Sequence, residues 1–192
     1  MPGRFDKRFS RRQMVAAVPF LLAWPQLVGA QAMVFDSFDG TPESRWEFLS
    51  DQVMGGVSTG QLRFARGGDG VFARLTGQVS TENRGGFIQF RRAISPALPS
   101  GLQGVRLITR GNGQRYFVHL RSTGTVLPWQ YYQAGFEAGP SWAEVRLPFA
   151  AFNRSGRMLR LVPQAGSLTS IGIVAYGRDH NAQVDVREVG FF

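Results

Sequence analysis

At 192 residues with 43% hydrophobic composition, the chain is sized for one globular domain with a real core. It contains no cysteine, which excludes disulfides, thiolate metal sites, iron–sulfur clusters and a cysteine nucleophile. The formal charge is +9, of which residues 1–32 carry +4; the remaining +5 is not gathered into Lys/Arg blocks, so a nucleic-acid binder is not indicated.

The first 32 residues read as an address rather than as part of the fold. RFDKRFSRR is a basic start, MVAAVPFLLAWPQLVGA a moderately apolar run, and AQA at residues 30–32 a small-x-small cleavage pattern. SRRQM, with Arg11 and Arg12 as the pair, has the form of a twin-arginine export signal. Pro19 and Pro25 interrupt the apolar run, which is shorter than the ~20 residues a membrane span needs. The expectation is an export segment at 1–32, a folded domain at 33–192, and a periplasmic or otherwise exported location, free or membrane-associated. After the segment every basic residue is Arg. Arg suits bidentate contacts with carboxylate or phosphate, although a coding bias explains the usage equally well.

From Met33 onward there is almost no helical periodicity. Short alternating runs are separated by Gly, Pro, Asn and Ser. Runs at 33–38, 46–49 and 61–65 come first. GVFARLTGQVS then sets Val71, Ala73, Leu75 and Val79 to one side and Arg74, Thr76 and Gln78 to the other. Runs at 86–94 and 104–110 follow. RYFVHLRS places Tyr116, Val118 and Leu120 on one face; after a run at 127–136, WAEVRLPF does the same for Val145 and Leu147. LTSIGIVAYG and QVDVREVGFF are two late strands. About eleven short strands imply an all-β sandwich or barrel.

Two stretches break this pattern. SDQVMGGVSTG supplies Asp51, Met54, Gly55, Gly56 and Ser58; STENRGGFIQFR supplies Glu82, Asn83, Gly85 and Gly86. Paired glycines inside strand-like sequence permit positive φ or a close approach of backbone. Asp51, Glu82 and Asn83 are expected to cap and brace these turns. Partner recognition is a second use for them, and a Ca²⁺ site a third, though the spacing is no EF-hand loop.

The two stretches together, with GVRLITRGNGQRYFVHLR, YYQAGFEA and WAEVRLPFAAF after them, resemble the complex I intermediate-associated protein 30 family over about Phe35 to Phe192. The resemblance implies a jelly-roll β-sandwich, galactose-binding-domain-like and related to family 11 carbohydrate-binding modules. It implies a non-catalytic, chaperone-like role in assembly of respiratory complex I (NADH:ubiquinone oxidoreductase), with complex I subunits or assembly intermediates as partners. The alternative is an exported carbohydrate-binding module for a cell-envelope polysaccharide. Mitochondrial members work on the matrix side, which corresponds to the bacterial cytoplasm; an export signal would send this chain to the opposite face.

Strand faces opposite the expected core carry Gln89 and Arg91, then Arg106, then Arg115, Phe117, His119 and Arg121, then Glu144 and Arg146. LPWQYYQAGF adds Trp129 and Tyr131, or Gln130 and Tyr132, according to register. If these strands are neighbours they form one platform of Arg, amide and aromatic groups, suited to recognition. The binding candidates are Arg91, Arg115, Phe117, His119, Arg121, Trp129, Tyr131 and Tyr132. Solvated arginines and loop-covered aromatics are the plainer alternative.

Catalysis finds little support. A glycosidase needs two carboxylates across a cleft, and only Asp51 and Glu82 suggest a pair. There is no G-x-S-x-G elbow, and His119 and His180 have no metal-ligand spacing. The expectation is a monomer with no catalytic residue, metal or cofactor.

Overall fold

The computed structural model describes residues 32–68 and 70–192, with Met1 and Gly3. The export segment expected at residues 1–32 falls almost wholly outside them. The strands in chain order are β1 Met33–Asp36, β2 Glu47–Ser50, β3 Thr59–Gly67, β4 Gly70–Val79, β5 Phe87–Ala93 and β6 Gly104–Gly111. They continue as β7 Arg115–Ser122, β8 Tyr132–Glu137, β9 Ala143–Pro148, β10 Asn153–Arg154, β11 Leu168–Tyr176 and β12 His180–Phe191. They form two six-stranded sheets. The first runs β3-β4-β12-β6-β9, with β1 added to β12; the second runs β10-β8-β7-β11-β5-β2. Pairing is antiparallel in both. The expected all-β jelly-roll sandwich is what the chain forms.

Alternation accounts for the core. Tyr116, Val118 and Leu120 point inward from β7 and are fully buried, as are Ile171, Ile173 and Ala175 from β11 and Ile88 and Phe90 from β5. Ala73, Leu75 and Val79 face them from β4. The one polar group on buried Tyr116 is satisfied: its hydroxyl donates to Asn112 Oδ1 at 2.6 Å and accepts from the Gln183 N–H at 2.8 Å.

Strand β12 serves three partners. Val184 and Val186 face inward, and so do Val189 and Phe191; the odd step between the pairs is a bulge between Val186 and Glu188. The extra residue bends the strand, so that it leaves β4 after Val186 and takes up β1 at Val189.

Asp36, at the end of β1, ties the sheets together. Its buried carboxylate accepts from the Trp46 indole at 2.7 Å, the Phe38 N–H at 2.8 Å and Arg45 at 3.0 Å, and it ion-pairs with Arg92 of β5. One acid therefore clamps the loop after β1 across to the second sheet. Burial alone would raise this carboxyl, but its hydrogen bonds and the charge of Arg92 hold it below the usual range.

Candidate functional site

The outer face of the second sheet gathers most of the residues expected at the site. Arg91 of β5 and His119 of β7 both stand opposite Gly172 of β11, and His119 also stands opposite Gln133 of β8. Gly172 has no side chain between them, so the sheet carries a trough there. A Cβ at that position would sit 3.2 Å from Gln89 Oε1. The trough is a small cavity of about 70 Å³ that opens into a wider depression of about 450 Å³; Arg91, Arg121 and Ser170 line both.

One wall is aromatic. The His119 ring stacks on Tyr131 at 4.1 Å and 11°, and Tyr176 meets its edge at 5.7 Å. Phe117 packs edge-on to Tyr176 at 6.1 Å. His119 Nε2 hydrogen-bonds Gln133 Oε1 at 2.8 Å, and the Tyr131 hydroxyl donates to that of Tyr176 at 3.4 Å. Burial, with Tyr176 alongside, pushes the Tyr131 hydroxyl up, so it stays protonated.

Burial lowers His119 to about 4, against a smaller upward pull from Gln133. The face therefore holds a neutral imidazole at neutral pH. The unfolded chain titrates near 6.5, so this contribution to stability is intact above pH 6.5 and is lost as the pH falls from 6.5 to about 4. The full loss is about 3 kcal/mol. Urea midpoints measured across that window should fall with pH in the native chain and lose most of that slope in His119→Gln. His180, also lowered by burial, leaves a remainder.

The cations on this face differ. Arg91 donates to the Glu47 carboxylate at 2.5 Å. Arg115 lies across Gly135 and over the Phe117 ring at 5.6 Å. Arg121 meets no carboxylate among the described residues; it donates to the carbonyls of Thr125 and Leu127 at 3.2 and 3.1 Å.

Three expectations are corrected. Arg106, Glu144 and Arg146 sit on β6 and β9 of the other sheet, where Arg106 pairs with Glu144 and Glu188, so the single platform is divided between two faces. Tyr132 pairs with Leu120 and points into the core with it, so the Tyr131 register is the one that reaches the face. Trp129 is exposed, but on the loop between β7 and β8 rather than on the sheet. A larger depression, about 780 Å³ between residues 100–103 and 162–167, presents no charged side chain. The convergence of Arg, His, Gln and Tyr singles out the sheet face instead.

The two glycine turns border this sheet and share one carboxylate. Asp51 is fully buried and accepts from the Ser58 N–H at 3.0 Å, the Ser58 hydroxyl at 2.5 Å, the Gly86 N–H at 2.5 Å and the Phe87 N–H at 3.2 Å. In each pair, one glycine supplies conformation and the other room. Gly55 has φ 87° and Gly86 φ 126°. A Cβ on Gly56 would lie 2.4 Å from the Asp51 carboxyl carbon, and one on Gly85 would lie 2.4 Å from its Oδ2. Asp51 thus braces both turns. Burial would raise its pKa, but the donors from Gly86, Ser58 and Phe87 outweigh that and hold it low.

Glu82 and Asn83 do not brace as expected: neither side chain makes a hydrogen bond among the described residues. Asn83 and Arg84 contribute backbone, at φ 54° and 61°. Met54 is exposed on the first turn. A residue missed in the sequence anchors the second turn. Asp179 accepts from the N–H and the hydroxyl of Thr81, both at 2.7 Å. An Asp inside the polar run GRDHNAQ was its only signal.

Fold and face define a jelly-roll β-sandwich of the galactose-binding-like class, whose second sheet has an open outer face lined by Arg and aromatic groups. The model of the family described as complex I intermediate-associated protein 30 matches residues 35–185. The chain belongs to that family. Among solved structures, it is similar to a family 11 carbohydrate-binding module from Clostridium thermocellum in complex with a β-1,3-1,4-mixed-linked tetrasaccharide. The TM-score is 0.67 at 15% identity, over 84% of this chain and 95% of that one. The family 11 module of a cellulosomal cellulase from the same organism gives 0.68 at 15% identity, over 84% and 94%. An exo-β-agarase gives 0.57 at 6% identity, over 83% of this chain and 25% of that one. These likenesses concern the fold. A comparison with curated protein sequences finds no match.

Proposed function

We propose that the chain is a non-catalytic binding domain that holds a protein partner on the outer face of its second sheet during assembly of respiratory complex I. The observation that carries this is the convergence of Arg91, His119, Arg121 and Tyr131 on one open groove of a chain in this family. The strands of that face supply two carboxylates, Glu47 on β2 and Glu137 on β8. Four strand spacings separate them, about 19 Å, where a glycosidase pair stands within about 10 Å. Asp51 is fully buried and held by four donors that brace the two turns, which takes it away from acid–base work on a bound molecule. The groups here are arranged to recognise.

A second reading, an exported glycan-binding module, is favoured by likeness of fold to a module solved on a tetrasaccharide. Gln89, Gln133 and Ser170 supply donors and acceptors that match sugar hydroxyls. On either reading the twin-arginine segment delivers a folded domain to the outer side of the membrane, and fractionation that leaves the chain in the cytoplasm would contradict that placement.

A pull-down from solubilised membranes of the source cell tests the first reading. Complex I subunits should be enriched on the chain and reduced about tenfold or more with Arg91→Ala/Tyr131→Ala, as for loss of hot-spot groups. Recovery of no respiratory subunit overturns it. Retention on a polysaccharide, competed by soluble sugar, would then favour the second.

A further inference from the structure

Two neighbouring loops beside the groove turn apolar tips to solvent, and the first of them is built inside-out. In the loop between β7 and β8, Gln130 is only 8% exposed and its Oε1 accepts from the N–H groups of Val126 and Leu127 at 2.9 and 3.0 Å. Arg121 holds the same loop through two carbonyls. The polar groups face in, while Val126, Leu127 and Trp129 face solvent, Trp129 at 67% exposure. The stretch after β10 also shows apolar tips. Arg154, itself exposed, folds over the carbonyls of Arg157 and Leu159, and Met158 is 94% and Leu161 72% exposed. Ser155 locks the loops together: its hydroxyl donates to the Trp129 carbonyl at 3.1 Å and accepts from the Tyr131 N–H at 2.9 Å.

Holding polar groups inside and apolar tips outside is costly in water unless something covers the tips. The charges say what covers them. Residues 122–131 and 153–164 contain no acid, and Arg157 and Arg160, interleaved with Met158 and Leu161, are exposed and make no ion pair among the described residues. Aliphatic tips with a Trp, set among unpaired arginines, match an anionic lipid surface, where apolar groups enter the headgroup layer and Arg meets phosphate. A flat protein interface would instead centre its aromatic anchor in a packed pocket.

We propose that these two loops form a membrane-docking edge that inserts Trp129, Met158 and Leu161 into the headgroup layer of an anionic bilayer. The edge borders the groove, whose lining includes Pro128 and Gln130 of the same loop, and docking through the exposed tips lets the domain work from the membrane surface while the sheet face stays open.

The absence of cysteine makes the test direct. Full-length Met158→Cys and, as reference, Gln61→Cys on β3 are labelled with a polarity-sensitive fluorophore. They are mixed with phosphatidylcholine vesicles with or without about one-third phosphatidylglycerol. Emission at position 158 should shift to the blue on anionic vesicles, with position 61 unchanged. Adding Arg157→Glu/Arg160→Glu should weaken that response about tenfold or more. Vesicle binding without a shift at position 158 means another part of the chain docks, and overturns the proposal. So does a shift seen only on native membranes and abolished when their proteins are stripped by protease, because the occupant is then a protein.

Discussion

Asp51→Ala should lower the stability of the folded chain by about 3–5 kcal/mol, because it strands four buried donors at once. Asp51→Asn keeps the shape but turns an amide N–H₂ toward N–H and O–H donors, so it should recover only part of that loss. The more telling result concerns the glycines. Neither Gly56 nor Gly85 has positive φ, so alanine is opposed at those positions chiefly by collision with the Asp51 side chain, to which the Glu82 carbonyl at 3.1 Å adds at Gly85. Gly56→Ala and Gly85→Ala should each cost about 2–3 kcal/mol in the native background; in Asp51→Ala the cost at Gly85 should fall most, and that at Gly56 only in part, because the Cβ that remains at position 51 would still lie 2.7 Å away. A double-mutant cycle from urea melts reads this coupling. Strict additivity would show that the two turns are not built around one carboxylate.

The second large effect lies at Asp36. Removing this acid leaves Arg45, Arg92 and the Trp46 indole in a mostly buried site without their common acceptor. Asp36→Ala should cost about 3–5 kcal/mol, as for breaking a buried pair from one side. Replacing Arg92 with Met in the same chain should return part of the loss, since an uncompensated guanidinium is removed with it. Both acids are held below their ordinary pKa, so their contributions are intact above pH 3.8 and are lost as the pH falls below it. Acid unfolding should therefore show two stages, the histidine stage between about pH 6.5 and 4 and the carboxylate stage below it. Tryptophan fluorescence across a pH series at fixed urea separates them.

The strands were legible because alternation is local. The inward set Tyr116, Val118 and Leu120 is written in consecutive residues. Which strands lie side by side is not local, and this divided the expected platform: nothing in GVRLITRG or WAEVRLPF says that they pair with each other on the sheet opposite RYFVHLRS. The choice between Tyr131 and Tyr132 rests on the same long-range pairing, through Leu120. The two-residue β10 is too short to carry a pattern. The glycine turns were recognisable as turns, but their shared brace was not, since Gly85 and Gly86 meet a carboxylate more than 30 residues earlier in the chain. Nothing local in the sequence marks Asp36; only the fold brings Trp46 and Arg92 to it. Gln130 and Arg121 looked like surface groups, and the inversion that turns them inward shows only once the loops between β7 and β8 and after β10 are closed on one another.

Recognition through the outer face of the second sheet is the central claim, and site-specific photo-crosslinking tests it most directly. A photoreactive residue at Gln89, in the groove of that face, is compared with one at Thr76, on the outer face of the first sheet, in membranes of the source cell. Complex I subunits should crosslink from position 89 and not from position 76. Crosslinks to those subunits from position 76 alone, or from neither position, would contradict it.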